Sequence, residues 1–178
     1  MFNKKVFPYI IFFVSPLVLV IIGVFIGYFG VEFSTEVLHI FGRISIWLLV
    51  LMLLSKYFIK IPLLSIISKY KKEIGISSFL FALLHILLYA FSTNNLVYEI
   101  LQRRYILLGF LLFALMFFMF ISSFFYKKIF FKISPLILPF SLLGAIHYLF
   151  STKIVSLYAL IVFGILFILL CMKIYKNA

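Results

Sequence analysis

The chain has 178 residues, of which 67% are hydrophobic and only 11% are charged. A soluble domain carries about a quarter charged residues, because its surface faces water, so this composition excludes a soluble globular protein. The formal net charge of +12 is high enough for a nucleic-acid-binding protein, but the basic residues fall mostly on one side of the predicted membrane spans. We therefore expect contact with a lipid bilayer and no nucleic-acid partner.

Six apolar segments follow one another along the chain, and a helix of roughly 20 such residues crosses the hydrocarbon core. The first follows Lys4 and Lys5 but is longer than the apolar part of a signal peptide and has no small-residue cleavage site, so we expect it to be retained. The continuous runs exclude the short alternating strands of a membrane β-barrel. The predicted fold is all-α, an integral membrane bundle of six transmembrane helices: Phe7–Phe29, Val37–Ser55, Gly75–Ser92, Tyr105–Phe124, Ser134–Ser151 and Ile154–Met172.

The connections between these spans are uneven in length and charge. The longest inner connection, Lys56–Glu73, holds five lysines and is expected to lie along the membrane surface, where anionic lipid attracts it. The longest outer connection is Thr93–Arg104. In the fifth span, Pro135 fits an initial helical turn, and Pro139 predicts a bend about one turn later.

The basic residues are distributed asymmetrically. If the N-terminus is cytoplasmic, twelve of the sixteen Lys and Arg residues lie on the inner side and four on the outer side. The positive-inside rule then predicts that both termini are cytoplasmic, in a bacterial inner membrane. The four outer residues are Arg43, Arg103, Arg104 and Lys153.

All three histidines lie in or at the edge of a predicted span. Ionisable groups are costly in lipid and mark candidate functional sites. His85 lies seven residues before Ser92, and His147 lies four residues before Ser151. At about 1.5 Å per residue, these positions are roughly 10 Å and 6 Å below the outer ends of two separate helices. Two imidazoles at similar depth are what axial ligation of one haem iron needs.

Other interpretations of these histidines stay open. Each could bond a backbone carbonyl or brace a neighbouring helix independently. A zinc or di-iron site is disfavoured, because the sequence has no H-x-x-x-H pair and no mid-membrane Glu. Covalently attached haem is excluded, because the single cysteine, Cys171, is not in a C-x-x-C-H motif. We expect Cys171 to be buried as a small hydrophobic residue.

Further candidate contacts lie near the predicted outer ends of the spans. Arg43 follows His39 by one turn, and its guanidinium favours a planar anion. This could be the carboxylate of Glu32 or Glu36, which are expected in the preceding outer loop, or a haem propionate. His39 is itself a candidate haem contact. Arg103 and Arg104 could contact propionates or dock a periplasmic partner. For all three arginines the alternative is an anchor at the membrane surface.

Six short motifs in fixed order can be compared with known membrane proteins. They are Gly42-Arg43, Lys71–Gly75, Phe81–His85, Arg103–Gly109, Ser122-Ser123 and His147-Tyr148. Their order and spacing resemble the ferric-reductase-like transmembrane family, and within it the haem-binding membrane subunits of periplasmic methionine-sulfoxide reductase systems. The resemblance covers roughly Glu36 to Met172. It divides the chain into a first helix with its outer loop, residues 1–35, and a haem-binding transmembrane domain, residues 36–178.

The resemblance implies a haem b electron-transfer subunit of an oxidoreductase rather than its catalytic subunit. Such a protein takes electrons from quinol and passes them to a periplasmic molybdopterin-containing reductase, its partner in a heterodimer, which repairs oxidised methionine in envelope proteins. The resemblance also raises flavin mononucleotide (FMN) as a second cofactor.

The chain departs from the family at one position. Ser134 stands where the family has a histidine, thirteen residues before His147, which argues against a second, inner-side haem. The alternatives are a ferric-reductase-like protein with another electron acceptor and a non-redox small membrane transporter or assembly protein.

Overall fold

The computed structural model describes residues 6–30, 33–151 and 155–177. Within these ranges the chain forms nine helices and no β-strand, and the first of them includes a π-helical segment at Ile10–Val14. The helices are α1 Phe7–Phe25, α2 Phe33–Tyr57, α3 Pro62–Ser68, α4 Lys71–Ser92, α5 Leu96–Gln102, α6 Arg104–Phe125, α7 Lys127–Ile133, α8 Ile137–Ser151 and α9 Leu157–Asn177.

Six of the described helical segments are long and apolar enough to cross a membrane: α1, α2, α4, α6, the combined segment of α7 and α8, and α9. The predicted all-α class with six spans is therefore confirmed, and the chain is a multi-pass membrane protein. Which side the termini face stays a prediction. Lys4, Lys5 and Lys153, which contribute to the charge count, lie outside the described residues.

The membrane helices α2 and α4 begin before the apolar boundary that was expected for them. α2 starts at Phe33 rather than Val37, and α4 starts at Lys71 rather than Gly75. Water and lipid headgroups can satisfy the exposed backbone groups of a first turn, so a helix need not begin where its apolar stretch begins. The extension of α2 brings Glu36 into the same helix as Arg43.

Both long connections contain short helices that the sequence did not predict. α3 begins with Pro62 in its first turn, where a proline costs no hydrogen bond. α5 is capped by Asn95, whose side-chain oxygen accepts a hydrogen bond from the backbone N–H of Tyr98 at 3.1 Å. Each helix has only seven residues, too few for a clear apolar periodicity.

The fifth span is interrupted near its two prolines. A single 3₁₀ turn, Ser134–Leu136, separates α7 from α8, so Pro135 lies inside a longer helical segment and does not begin it. Pro139 has no N–H to donate to the carbonyl of Pro135, four residues earlier. Lys173 of α9 donates to that oxygen instead, with its Nζ at 2.8 Å.

The chain folds as two compact units, residues 1–94 and 95–178. In the first unit α2 packs against α4, and α1 also contacts α4; in the second, α8 packs against α6 and α9. The domain boundary after residue 35, drawn from the family resemblance, stays a prediction.

Close packing of α2 on α4 fixes the register of the first unit. Ser45 and Ser78 each donate a side-chain hydrogen bond to the other's backbone carbonyl, both at 2.9 Å, and both are buried. Serines are small enough to let two helix backbones approach closely. Next to this contact, the fully buried Phe81 packs against Phe13 and Phe41, with ring centroids 5.1 and 5.8 Å away. This register determines which residues of α2 face the part of α4 that follows Phe81.

Candidate functional site

His85 lies on α4 in the first unit and is half-buried. Its Nδ1 is 2.8 Å from the carbonyl oxygen of Leu38 on α2. A carbonyl oxygen can only accept, so Nδ1 must carry the proton that is donated. In the neutral imidazole the lone pair is then on Nε2, and this is the tautomer that can coordinate a metal through Nε2.

The ring of His85 also packs on Gly42, one helical turn after Leu38. A Cβ added at Gly42 would lie 3.2 Å from Nδ1 and 3.3 Å from Cε1 of the imidazole. The ring therefore lies across bare backbone.

His147 in the second unit has the same surroundings. It is half-buried on α8, and its Nδ1 is 2.6 Å from the carbonyl oxygen of Tyr105 on α6. A Cβ added at Gly109, four residues after Tyr105, would lie 2.7 Å from Cε1 and 3.1 Å from each ring nitrogen of His147. The same donor argument puts the lone pair of this imidazole on Nε2.

Each unit thus contains one arrangement of the same kind, which we call a histidine seat. It consists of a backbone carbonyl and a glycine four residues later on one membrane helix, with the imidazole of another helix against them. Leu38 and Gly42 form the seat of His85, and Tyr105 and Gly109 form the seat of His147. A hydrogen bond from the second ring nitrogen to a carbonyl is typical of metal-binding histidines.

Arg43 and His39 lie beside the first seat on α2. The Arg43 Nε donates to the carbonyl oxygen of His39 at 3.4 Å, and its Nη2 is 3.7 Å from Oε2 of Glu36. Glu36 was expected in the outer loop but lies in the first turn of α2, two turns before Arg43. Glu32, the other acid of that loop, lies outside the described residues.

Arg103 and Arg104 precede the second seat. The Arg103 Nε is 2.9 Å from Oε2 of Glu99 on α5, and its Nη1 donates to the phenol oxygen of Tyr105 at 3.3 Å. Arg103 therefore connects α5 to the residue whose carbonyl accepts from His147. Arg104 is exposed in the first turn of α6.

Ser134 and Cys171, which were also singled out in the sequence, belong to neither histidine seat. Ser134 donates its hydroxyl to the carbonyl of Phe131 at 3.1 Å, within its own helical segment. Cys171, expected to be buried, is exposed on α9. Across residues 6–30, 33–151 and 155–177, no three or more His, Cys, Asp and Glu side chains cluster in a way that could hold a metal ion.

Sequence reasoning identified both histidines but assigned no role to the residues that form their seats. Gly42 and Gly109 were noted only as members of the family motifs. The carbonyls of Leu38 and Tyr105 were missed because every residue has a backbone carbonyl. The available signal was a glycine in an apolar span at about the depth of a histidine in another span.

Comparison with known proteins points in one direction. The chain is 26% identical over 159 residues to the protein-methionine-sulfoxide reductase heme-binding subunit MsrQ of Pasteurella multocida (strain Pm70). The alignment covers 82% of this chain and 76% of that protein. The chain is similar to MsrQ over most of its length. No family model matches the sequence, and no solved structure matches it, so membership of the ferric-reductase-like family stays a prediction.

Proposed function

We propose that the chain is a haem-binding electron-transfer subunit of a methionine-sulfoxide reductase system, with His85 and His147 as the axial ligands of one haem b. The observation that carries this proposal is the repeated histidine seat. Each imidazole donates from Nδ1 to a backbone carbonyl and so has its lone pair on Nε2. The similarity to MsrQ, whose name describes a heme-binding subunit, supports it.

The donor set fits haem better than it fits a bare metal ion. A porphyrin supplies four nitrogen ligands, so the protein has to provide only two, and two neutral imidazoles are a common pair in b-type haem proteins. A haem held by these residues would supply one-electron redox chemistry. The protein holds the imidazoles, selects their tautomer and surrounds them with an apolar medium.

We propose one haem and not two. The hydroxyl of Ser134 is already engaged with Phe131, and serine is not a usual haem ligand. Cys171 lies in α9, in neither histidine seat. His39, at the outer part of α2, is proposed as a neighbour of the haem and not as a ligand.

We further propose that the electron donor and acceptor are separate molecules. The described connections between spans hold only the short helices α3 and α5. A quinol in the membrane would be the donor, and a periplasmic molybdopterin-containing reductase, bound as a heterodimer, would be the acceptor that repairs oxidised methionine. Arg103 and Arg104, near the predicted outer surface, are proposed to contact haem propionates or this partner.

The decisive experiment is spectroscopy of the purified protein from haem-replete cells. We expect a low-spin spectrum of bis-imidazole haem, a haem-to-protein ratio near one, and loss of this spectrum in both His85→Ala and His147→Ala. His39→Ala is the matched control and should retain haem. Bound FMN can be measured on the same samples. A colourless wild-type preparation, or full haem occupancy in either ligand variant, contradicts the proposal.

A further inference from the structure

We propose that Gly42 and Gly109 are positioning residues for the two histidines. The bare backbone of each glycine lets an imidazole approach the carbonyl one turn earlier, and this contact sets the rotation and the tautomer of the ring. The significance of this for haem rests on the proposed function, but the geometric claim concerns the protein alone and can be measured without haem.

The second seat is the tighter of the two. The hypothetical Cβ at Gly109 would meet Cε1 of His147 at 2.7 Å and both ring nitrogens at 3.1 Å. Real non-bonded carbon atoms stay about 3.5–4.0 Å apart, so alanine here would displace the ring itself. The displaced ring would lose its 2.6 Å hydrogen bond to the Tyr105 carbonyl.

The first seat has slightly more room. The hypothetical Cβ at Gly42 would lie 3.2 Å from Nδ1 and 3.3 Å from Cε1 of His85. A shift of a few tenths of an ångström would relieve this contact, but it would move Nδ1, the atom that donates to Leu38. We therefore expect alanine at Gly42 to displace the ring of His85 as alanine at Gly109 displaces that of His147, but by a smaller distance.

Fixing the ring has a chemical consequence at its other nitrogen. The rotation of a histidine ring about χ2 is only weakly restricted by its own bonds. In the seat, only one orientation directs an N–H at the carbonyl, because the flipped ring would direct a C–H at it. The hydrogen bond from Nδ1 also makes Nε2 a more basic ligand, which favours the oxidised metal.

The chain supplies a matched control for each glycine. Among the residues that the structure describes, a Cβ at Gly164 on α9 would meet nothing within 4 Å, and one at Gly75 on α4 would meet only Met52 Sδ at 3.6 Å, an ordinary contact. Alanine is a better helix former than glycine at all four positions. If haem is lost faster only from Gly42→Ala and Gly109→Ala, the effect therefore cannot come from helix propensity.

The experiment compares Gly42→Ala and Gly109→Ala with Gly75→Ala and Gly164→Ala. Haem transfer to excess apomyoglobin should be about 10- to 100-fold faster for Gly109→Ala, less accelerated for Gly42→Ala and unchanged for the controls. The midpoint potential should become more positive in the same order, because a weaker hydrogen bond makes Nε2 a poorer donor. A change in haem transfer without a change in potential would indicate only a packing role and would overturn the proposal.

Nitrogen NMR of the histidines in haem-deficient protein separates this inference from the proposed function. The wild type should show Nδ1 protonated on His85 and His147, and Gly109→Ala should lose this signature at His147.

If the wild type binds haem and the seat variants behave like the controls, the positioning role is wrong and the haem proposal stands. If the wild type binds no haem but the tautomer signature responds to Gly109→Ala, the proposed function fails and the seat stands. If Gly109→Ala does not fold, Gly42→Ala decides by the same comparison with Gly75→Ala.

Discussion

An imidazole coordinates a metal only through a nitrogen that carries no proton, so its other hydrogen bond selects the coordinating atom. In this protein that bond goes to main-chain carbonyls, those of Leu38 and Tyr105. In a regular helix the same oxygens also accept the N–H groups of residues 42 and 109, so both lone pairs are used. No side-chain substitution at residues 38 or 105 can remove such an acceptor. The glycines are therefore the positions through which mutation can alter the seats.

Arg43 gives a residue-scale prediction about the anion it contacts. Its contact with Glu36 is 3.7 Å long and partly exposed, and pairs of this kind contribute about 0–1 kcal/mol. If a haem propionate is its functional partner, Arg43→Gln should accelerate haem loss while Glu36→Gln should not, measured by transfer to apomyoglobin. Lys60→Gln, on the predicted inner side, is the control for the loss of one positive charge. Equal acceleration in Arg43→Gln and Glu36→Gln would mean that Arg43 acts through Glu36.

At the scale of helices, the contact between α2 and α4 shows how the first seat is aligned. Ser45 and Ser78 join the two backbones through reciprocal hydrogen bonds. His85 lies two turns along α4 from Ser78, and Gly42 lies about one turn along α2 from Ser45. Once the serines are paired, the antiparallel register brings the imidazole and the glycine together. In the second unit α6 and α8 pack in the same order, with the glycine on the earlier helix.

The proline interruption of the fifth span gives an element-scale prediction. Lys173 donates to the Pro135 carbonyl that Pro139 leaves without a helical donor. Lys173→Met should lower the free energy of unfolding by about 1 kcal/mol, the usual net value of one hydrogen bond. In a Pro139→Ala background the new N–H can replace the lysine, so the same substitution should cost less. A double-mutant cycle of thermal stability in detergent measures the difference, and equal costs in both backgrounds would contradict this explanation.

At the scale of the whole molecule, each compact unit carries one histidine seat. The first unit provides His85 with Arg43 beside it, and the second provides His147 with Arg103 beside it. Under the proposed function both imidazoles are needed, so loss of either histidine should abolish haem binding.

Topology is the prediction that belongs to this scale. Because twelve basic residues lie on the predicted inner side and four on the outer side, a C-terminal green fluorescent protein fusion should fluoresce and a C-terminal alkaline phosphatase fusion should be inactive. Alkaline phosphatase inserted in the connection that contains α5 should be active. The opposite pattern would move the histidine seats to the cytoplasmic side and contradict electron delivery to a periplasmic partner.

The amino-acid sequence by itself determined the number and approximate position of the membrane helices and the two candidate ligands. The six spans were confirmed because hydropathy over about 20 residues is a local property. The two histidines were singled out because an ionisable residue in an apolar span is conspicuous, and their role as ligands stays a prediction. Helices α3 and α5 are too short for this local hydropathy signal to predict them. The signal also placed the starts of α2 and α4 too late, because polar residues precede the apolar stretch within each helix.

Only the tertiary structure decided what surrounds each of the two candidate ligands. Leu38 and His85 are 47 residues apart, and Tyr105 and His147 are 42 apart, so their contacts depend on the packing register of separate helices. The acceptors are main-chain carbonyls, which leave no trace in residue type, and the glycines become informative only when a ring is seen against them. Composition specifies which groups enter the membrane, whereas helix packing specifies which nitrogen of each imidazole donates to a carbonyl and which keeps the lone pair.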